Sequence, residues 1–352
     1  MKYFANILGI CFCLTVSCTT RSNHLLSQKA QIATIGFYNL ENLFDTEDDP
    51  KINDEEFLPQ GPRAWTEEKY RDKLTRLSTV LEALGTELNP DGVAVLGVSE
   101  IENRKVLEDL VQTEKLAQRK YKIVHFDSKD ARGIDVALLY QSKYFTVLGA
   151  ETVFVPIYDE NGNIKYTRDV LLVRGKLKDQ IIYVTVNHWP SRRGGEAFTE
   201  PFRMLAAEIN KHIADSIAQV EPDASFIVMG DLNDNPDNKS MTVSLHAKKD
   251  QEELQSGDFY NPFFKNFSQG EGTLAHDDSW SLFDQIVFSK NLLNKDKGRF
   301  YFYKNQIYRK DFMIETTGHY KNYPKRTFSG NTYNYGYSDH FPVLIYLAKE
   351  ID

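Results

Sequence analysis

Three uninterrupted apolar runs, at residues 92–98, 226–229 and 341–347, constrain what this chain can fold into more than any other feature. Each is too short to be a core-spanning helix, and each reads as a strand whose two faces are both covered. Strands without a polar face need packed layers above and below them. Each run also abuts a polar block. Glu100 follows the first, Gly230-Asp231-Leu232-Asn233-Asp234-Asn235-Pro236 follows the second, and Ser338-Asp339-His340 precedes the third. Acids and their polar partners at strand ends are placed where side chains converge on a ligand.

The amino-terminal segment is of a different kind. Lys2 precedes an apolar stretch over residues 3–16, too short to span a bilayer, and small residues follow at Ser17 and Cys18. That is the pattern of a secretory signal. Thr15-Val16-Ser17-Cys18 resembles a bacterial lipobox, although Leu14 stands one place before the usual leucine position. Cys18 is therefore the expected lipid-attachment residue. The expected location is beyond the inner membrane, anchored in the cell envelope (outer membrane or periplasm), with the lipid as the sole membrane contact. All three cysteines (Cys11, Cys13 and Cys18) lie in this segment, so the mature chain carries no disulfide. Residues 1–18 thus read as a signal, 19–30 as a polar flexible tether, and 31–350 as a single folded domain without a Pro/Gly/Ser-rich linker. A monomer is expected.

Charge narrows the choice of partner. The formal net charge is −8, whereas affinity for duplex DNA comes largely from Lys and Arg neutralising phosphates. A tightly clamping, processive DNA enzyme is disfavoured. A site that holds one phosphodiester locally is not.

Strands are expected at residues 31–38, 92–98, 121–126, 135–140, 144–155, 166–177, 181–187, 225–229, 283–288 and 341–347, with a hairpin turn at 159–163. Thr66 stands where it can cap a helix carrying Tyr70, Leu74, Leu77, Leu81 and Leu84 at helical spacing, with Lys69, Arg71, Lys73 and Arg76 on a solvated face. A second helix is expected over 103–117, and a third from near Pro201 to 220. Residues 250–280 and 305–337 read as long surface loops near the site. Strict βα alternation is missing. The pattern fits an α+β class, a four-layer α/β sandwich of two packed mixed β-sheets flanked by helices.

Six strand-end positions then carry Asn39, Glu100, His188, Asp231 with Asn233, Asp284, and Asp339 with His340. Together they supply what phosphoester hydrolysis requires. A carboxylate can hold Mg²⁺, which prefers oxygen ligands and neutralises charge on phosphoryl oxygens. An Asp bonded to a His sets its tautomer and raises its basicity. Asp231 and Asn233, two residues apart, point the same way on an extended segment.

These blocks, in this order from Tyr38-Asn39 through Val98-Ser99-Glu100, Asn187-His188, Gly230-Asp231-Leu232-Asn233 and Phe283-Asp284 to Ser338-Asp339-His340, resemble the endonuclease/exonuclease/phosphatase superfamily with its DNase I-like fold. The resemblance implies that Glu100 binds the metal directly, with Asn39 supporting it and Asp339 nearby. It implies that Asp231 aligns or deprotonates the attacking water, Asn233 contacts a phosphoryl oxygen, and Asp284 orients the catalytic His340. His188 corresponds to the second histidine, which stabilises the transition state or helps the leaving group. The general base stays open between Asp231 and His340. The implied cofactor is Mg²⁺, with Mn²⁺ or Ca²⁺ as alternatives.

Where many members of that superfamily have a shorter, less basic turn, this chain reads Trp189-Pro190-Ser191-Arg192-Arg193-Gly194-Gly195. Arg192 and Arg193, with Arg203 on the following helix, are expected to grip substrate phosphate, because guanidinium binds phosphate bidentately. The leading expectation is a metal-dependent phosphodiesterase or nuclease. The alternative is an enzyme acting on a small-molecule or lipid-headgroup phosphoester. A binding protein descended from such enzymes ranks last, because Glu100, Asp231, Asn233, Asp284 and His340 are all retained.

Overall fold

Two β-sheets stacked face to face, with helices on their outer surfaces, make up the computed structural model, which describes residues 30–351. The expected signal segment, and Cys18 with it, lies outside those residues. In chain order the strands of these two sheets, leaving aside three short two-stranded hairpins, are β1 (Ala30–Leu43), β2 (Val95–Ile101), β3 (Tyr121–His125), β4 (Asp135–Gln141), β5 (Phe145–Val153), β6 (Val170–Leu177) and β7 (Gln180–His188). They continue with β8 (Ser225–Asp231), β9 (Ala247–Lys248), β10 (Phe259–Tyr260), β11 (Asp284–Ser289), β12 (Tyr301–Ile307) and β13 (Val343–Glu350). The first sheet runs β12-β13-β1-β2-β4-β3 and the second β9-β10-β11-β8-β7-β6-β5.

Period-two alternation decides which residues meet. Ala33, Ile35 and Phe37 of β1, Ile227 and Met229 of β8, and Val343, Ile345 and Leu347 of β13 point into the layer between the sheets. Their neighbours face outward. Leu344 and Tyr346 join an outer apolar cluster with Leu74, Leu77 and Leu81 of α1 (Glu67–Ala83) and Val106, Leu107 and Leu110 of α2 (Arg104–Val111). Phe226 and Val228 meet Ala206 and Ala207 of α3 (Glu196–Val220). The apolar runs are therefore continuous because both faces of the central strands are covered, as the sandwich expectation requires.

Each sheet is built around a parallel pair, β1 with β2 and β7 with β8. The carboxyl ends of all four strands reach one rim of the sandwich. Antiparallel neighbours begin at that same rim: Asp284, the first residue of β11, stands opposite Asp231, and Val343 of β13 stands opposite Phe37. The topology thus brings strand ends and strand starts from distant parts of the chain to one place.

Several elements differ from expectation. The second helix stops at Val111, and the chain continues in turns to a short 3-10 segment, Ala117–Arg119. α3 begins at Glu196 and carries Pro201 inside it, which removes one intrahelical donor. Thr66 occupies the cap position of α1, but its side chain makes no capping bond. The edge strand β12 overlaps a stretch read as loop. All seven of its residues are half-buried, and Tyr, Lys, Asn and Gln blur the alternation that would have marked it.

Gly230 is required by close approach. A β-carbon there would lie 2.3 Å from the carbonyl oxygen of Asn187 on β7. Gly230→Ala should cost about 1–3 kcal/mol, read as a lowered midpoint of urea unfolding. A midpoint equal to wild type would show that β7 and β8 tolerate separation at this step.

Candidate active site

At the rim, the regular backbone gives way to left-handed geometry. Pairing of β1 with β2 shifts between Asn39 and Leu43, and Glu41, Asn42, Glu100 and Asn233 have φ of 52°, 50°, 57° and 50°. Non-glycine residues adopt this region at a cost of about 1 kcal/mol or more each. Such irregularities re-aim side chains, and here they turn polar groups towards one another.

Asn39 sits at the centre. Its Nδ2 donates to Glu100 Oε1 (3.2 Å) and to Asp231 Oδ2 (3.0 Å), while its Oδ1 accepts from the Glu41 amide (2.8 Å). One side-chain amide therefore joins a carboxylate of the first sheet to a carboxylate of the second. The remaining oxygens are also held: Glu100 Oε2 by the Asn42 amide (3.0 Å) and Asp231 Oδ1 by the Asn233 amide (3.1 Å). His188 Nε2 lies 3.8 Å from both Glu100 Oε1 and Asp231 Oδ2.

On the other side, His340 Nδ1 donates to Asp284 Oδ2 at 2.7 Å. That leaves Nε2 turned into the site, 3.8 Å from Asp231 Oδ2 and from Asp339 Oδ1. Ser338 positions this turn: its hydroxyl donates to the Asn39 carbonyl (2.7 Å) and accepts from the His340 amide (3.1 Å). Sequence reasoning assigned Ser338 no role, although it stands in the Ser-Asp-His block.

Electrostatics follow from burial and crowding. Burial pushes the Asp231 carboxyl up to about 7, Asp284 and Glu100 add to this, and His340 opposes it. Burial alone would lower His340, but the carboxylates of Asp284 and Asp231 outweigh it and hold the imidazole well above its ordinary value. Burial, then the guanidinium groups of Arg168 and Arg132, push His188 well below, so that ring is neutral.

Donor atoms of Glu100, His188 and Asp231 lie within 4.8 Å of one another, and so do those of Asp231, Asp284 and His340. The crowded carboxylates Glu100 and Asp231 accept mainly from neutral amides, and a hard divalent cation would relieve their repulsion. The donor set fits such an ion. Asn39 contributes by positioning both acids, since its own oxygen is committed to Glu41. Asp339 is one-third exposed at the mouth. Asn233 donates through Nδ2 to the Trp189 carbonyl (2.9 Å), which leaves its second N–H available.

The expected arginine grip is not assembled. Arg203 is fully buried, its Nε 2.7 Å from Asp234 Oδ1, and it also donates to Thr199 and to the Glu196 carbonyl. Arg192 donates to the Asn233 carbonyl, to Asp234 and to Asn238, and pairs with Glu196. Both guanidinium groups brace the loop after β8. Both reach the same oxygen, Oδ1, of the buried Asp234, which takes the place a substrate anion would have had. Arg193 alone of the three is exposed.

Two further cations are buried close to the site. Lys73, placed by sequence on the solvated face of α1, is buried. Its ammonium donates to Thr327 Oγ1 and the Tyr337 carbonyl, 3.7 Å from Glu41 Oε2. Burial and the neighbouring Asp339 raise Glu41 to about 7, with Lys73 opposing. The signal was available: Lys73 falls between Tyr70 and Leu77 on the apolar stripe. Arg168 is buried as well and donates to the His188 carbonyl (3.1 Å), the Trp189 carbonyl (2.8 Å) and Asp130 (3.1 Å).

Comparison with known proteins agrees with this geometry. No curated protein matches the sequence. Among solved structures, the fold is similar to that of a humanized TDP2 from D. rerio bearing 14 mutations, at 12% identity and TM-score 0.54, covering 90% of this chain and 98% of that one. It is similar to an endonuclease/exonuclease/phosphatase family protein from Bacteroides thetaiotaomicron, at 14% identity and TM-score 0.52, covering 92% and 97%. It is also similar to the human Nocturnin catalytic domain, at 12% identity and TM-score 0.50, covering 92% and 98%. A sequence model described as the Endonuclease/Exonuclease/phosphatase family matches residues 34–349, nearly the whole described chain, and the protein belongs to that family.

Proposed function

We propose that the protein is a divalent-metal-dependent hydrolase of phosphoester bonds, of phosphodiesterase or nuclease type. The observation that carries this reading is the convergence of Glu100 and Asp231, through Asn39, beside a histidine oriented by Asp284. Glu100, positioned by Asn39 and with Asp339 nearby, would hold Mg²⁺ (or Mn²⁺ or Ca²⁺) beside Asp231, and the ion when bound supplies charge neutralisation at the phosphoryl oxygens.

The chain's own groups then divide the proton work. Asp231, fixed at both oxygens, orients the attacking water and accepts its proton as the water oxygen bonds to phosphorus. His340 is held protonated by Asp284 and presents Nε2–H to the ester oxygen, protonating the alcohol as the P–O bond breaks. This geometry favours Asp231 over His340 as the base. Neutral His188 and the free N–H of Asn233 offer hydrogen bonds to the remaining phosphoryl oxygens.

Asp284→Asn should lower kcat about 10²-fold or more with little change in KM, because it disturbs the imidazole and leaves the binding groups in place. Steady-state kinetics on a nitrophenyl phosphodiester would decide. An unchanged kcat would remove the Asp284–His340 pair from the chemistry.

A panel of plasmid DNA, RNA, nitrophenyl phosphodiester and sphingomyelin, assayed with Mg²⁺, Mn²⁺ or Ca²⁺, separates nucleic acid from small-molecule and lipid-headgroup substrates. EDTA and Asp231→Asn should each abolish turnover of whichever substrate is cleaved. Activity that survives EDTA would contradict the metal-dependent reading.

The lipobox-like Thr15-Val16-Ser17-Cys18 supports export and acylation at Cys18. Cys18→Ala should abolish labelling by a radioactive fatty acid and release the protein from the membrane fraction. Labelling that persists in the variant would sink the anchor.

A further inference from the structure

Beside the catalytic rim lies a cavity of ≈ 600 Å³ whose walls contradict the acidity of the rest of the chain. Lys129, Arg132, Lys165, Arg168 and Arg193 line it, against Asp130 as its one carboxylate. Asp130 is already shared by Arg168 Nη1 (3.1 Å) and Arg132 Nε (3.4 Å). Among the described residues no carboxylate pairs with Lys165 or Arg193, and Lys129 meets the Tyr166 ring at 5.2 Å. A chain of net charge −8 has thus gathered five cations around a single hollow and left most of them unneutralised. An anion entering the hollow would relieve the repulsion among them.

The cavity borders the segment that leaves β7 at His188, with Arg168 standing between the two. Arg168, in its wall, donates to the carbonyls of His188 and Trp189, and Pro190 and Ser191 carry the wall onward. The amino end of α3 contributes Gly194 and Thr199 to the same wall, and the positive end of a helix favours anions. Tyr166 and Phe202 add apolar surface for an organic body. The hairpin Ile157–Tyr158/Ile164–Lys165 bounds one side and α3 another, so the space is a pocket of the size that holds small ligands, not a track for a polymer.

We infer that this pocket is an anion subsite for a second phosphate group, so that the substrate is a small organic phosphoester carrying a phosphate in addition to the one cleaved. The inference deepens the hydrolase reading and rests on it for the word substrate. The pocket itself can be tested without turnover.

Pyrophosphate titrated calorimetrically into the full chain in EDTA provides that test. Saturable binding is expected, weakened about tenfold or more in a Lys165→Glu/Arg193→Glu double variant, as loss of charge-assisted hydrogen bonds implies. Absence of binding to wild type, or equal affinity in the variant, overturns the subsite. A short oligodeoxynucleotide that displaces pyrophosphate at equal phosphate concentration overturns the small-molecule assignment. Where turnover is measurable, kcat/KM for a doubly phosphorylated diester should fall about tenfold in the variant, chiefly through KM, with a nitrophenyl phosphodiester changed less than about twofold. Equal losses on both substrates overturn the inference. Pyrophosphate binding in a protein inactive on every phosphoester would instead discard the hydrolase reading and leave the pocket standing.

Discussion

One side-chain amide, that of Asn39, holds together acids from two different sheets, and the site exists only while it does. Glu100 comes from the first sheet and Asp231 from the second, and each meets the same Nδ2. Like charges brought together away from water repel strongly. The fold must therefore fix their separation by something stiffer than the acids themselves. The packed layer between the sheets does this, through Phe37, Met229, Val186 and Val343 just beneath the rim. Strained backbone at Glu41, Asn42, Glu100 and Asn233 sits directly above that layer. Strain of this kind persists where the surrounding structure over-determines it.

The parallel pairs explain why the functional groups come from such distant positions. A parallel pair puts two carboxyl ends on one edge, and an antiparallel neighbour puts its beginning there as well. Asp284 and His340 are such beginnings, and their bond crosses from the second sheet to the first. Ser338 ties the same turn back to Asn39. Around this centre a further layer of buried charges acts as bracing: Lys73 with Glu41, Arg168 with Asp130, and Arg192 and Arg203 with Asp234. Removing one partner of such a pair leaves an uncompensated charge, which costs about 3–5 kcal/mol.

Much of this was legible in the residues because doubly covered strands and polar strand ends leave local marks. The apolar runs at 92–98, 226–229 and 341–347 became β2, β8 and β13, and the stacked-sheet class followed from them. Asn39, Glu100, His188, Asp231 and His340 are brought together as a strand-end reading requires. What the residues could not disclose depends on contacts remote in sequence. The stripe position of Lys73 hints at burial, but its partners Thr327 and Tyr337 come from a loop, 254 and 264 residues away. Arg192 and Arg203 carry the donors that suit phosphate, and only the fold reveals that Asp234 occupies them. The basic turn at Arg192-Arg193 marked one wall of the cationic cavity, but Lys129, Arg132, Lys165 and Arg168 join Arg193 from other segments, and only the fold gathers them.

The decisive measurement is anomalous diffraction from crystals of the full chain soaked in Mn²⁺. If acids from both sheets serve one ion, a single strong peak should appear between Glu100 and Asp231, about 2.1–2.3 Å from a carboxylate oxygen of at least one of them. A peak bound elsewhere on the surface, with Glu100 and Asp231 still bridged by Asn39 and bare of metal, would contradict the account.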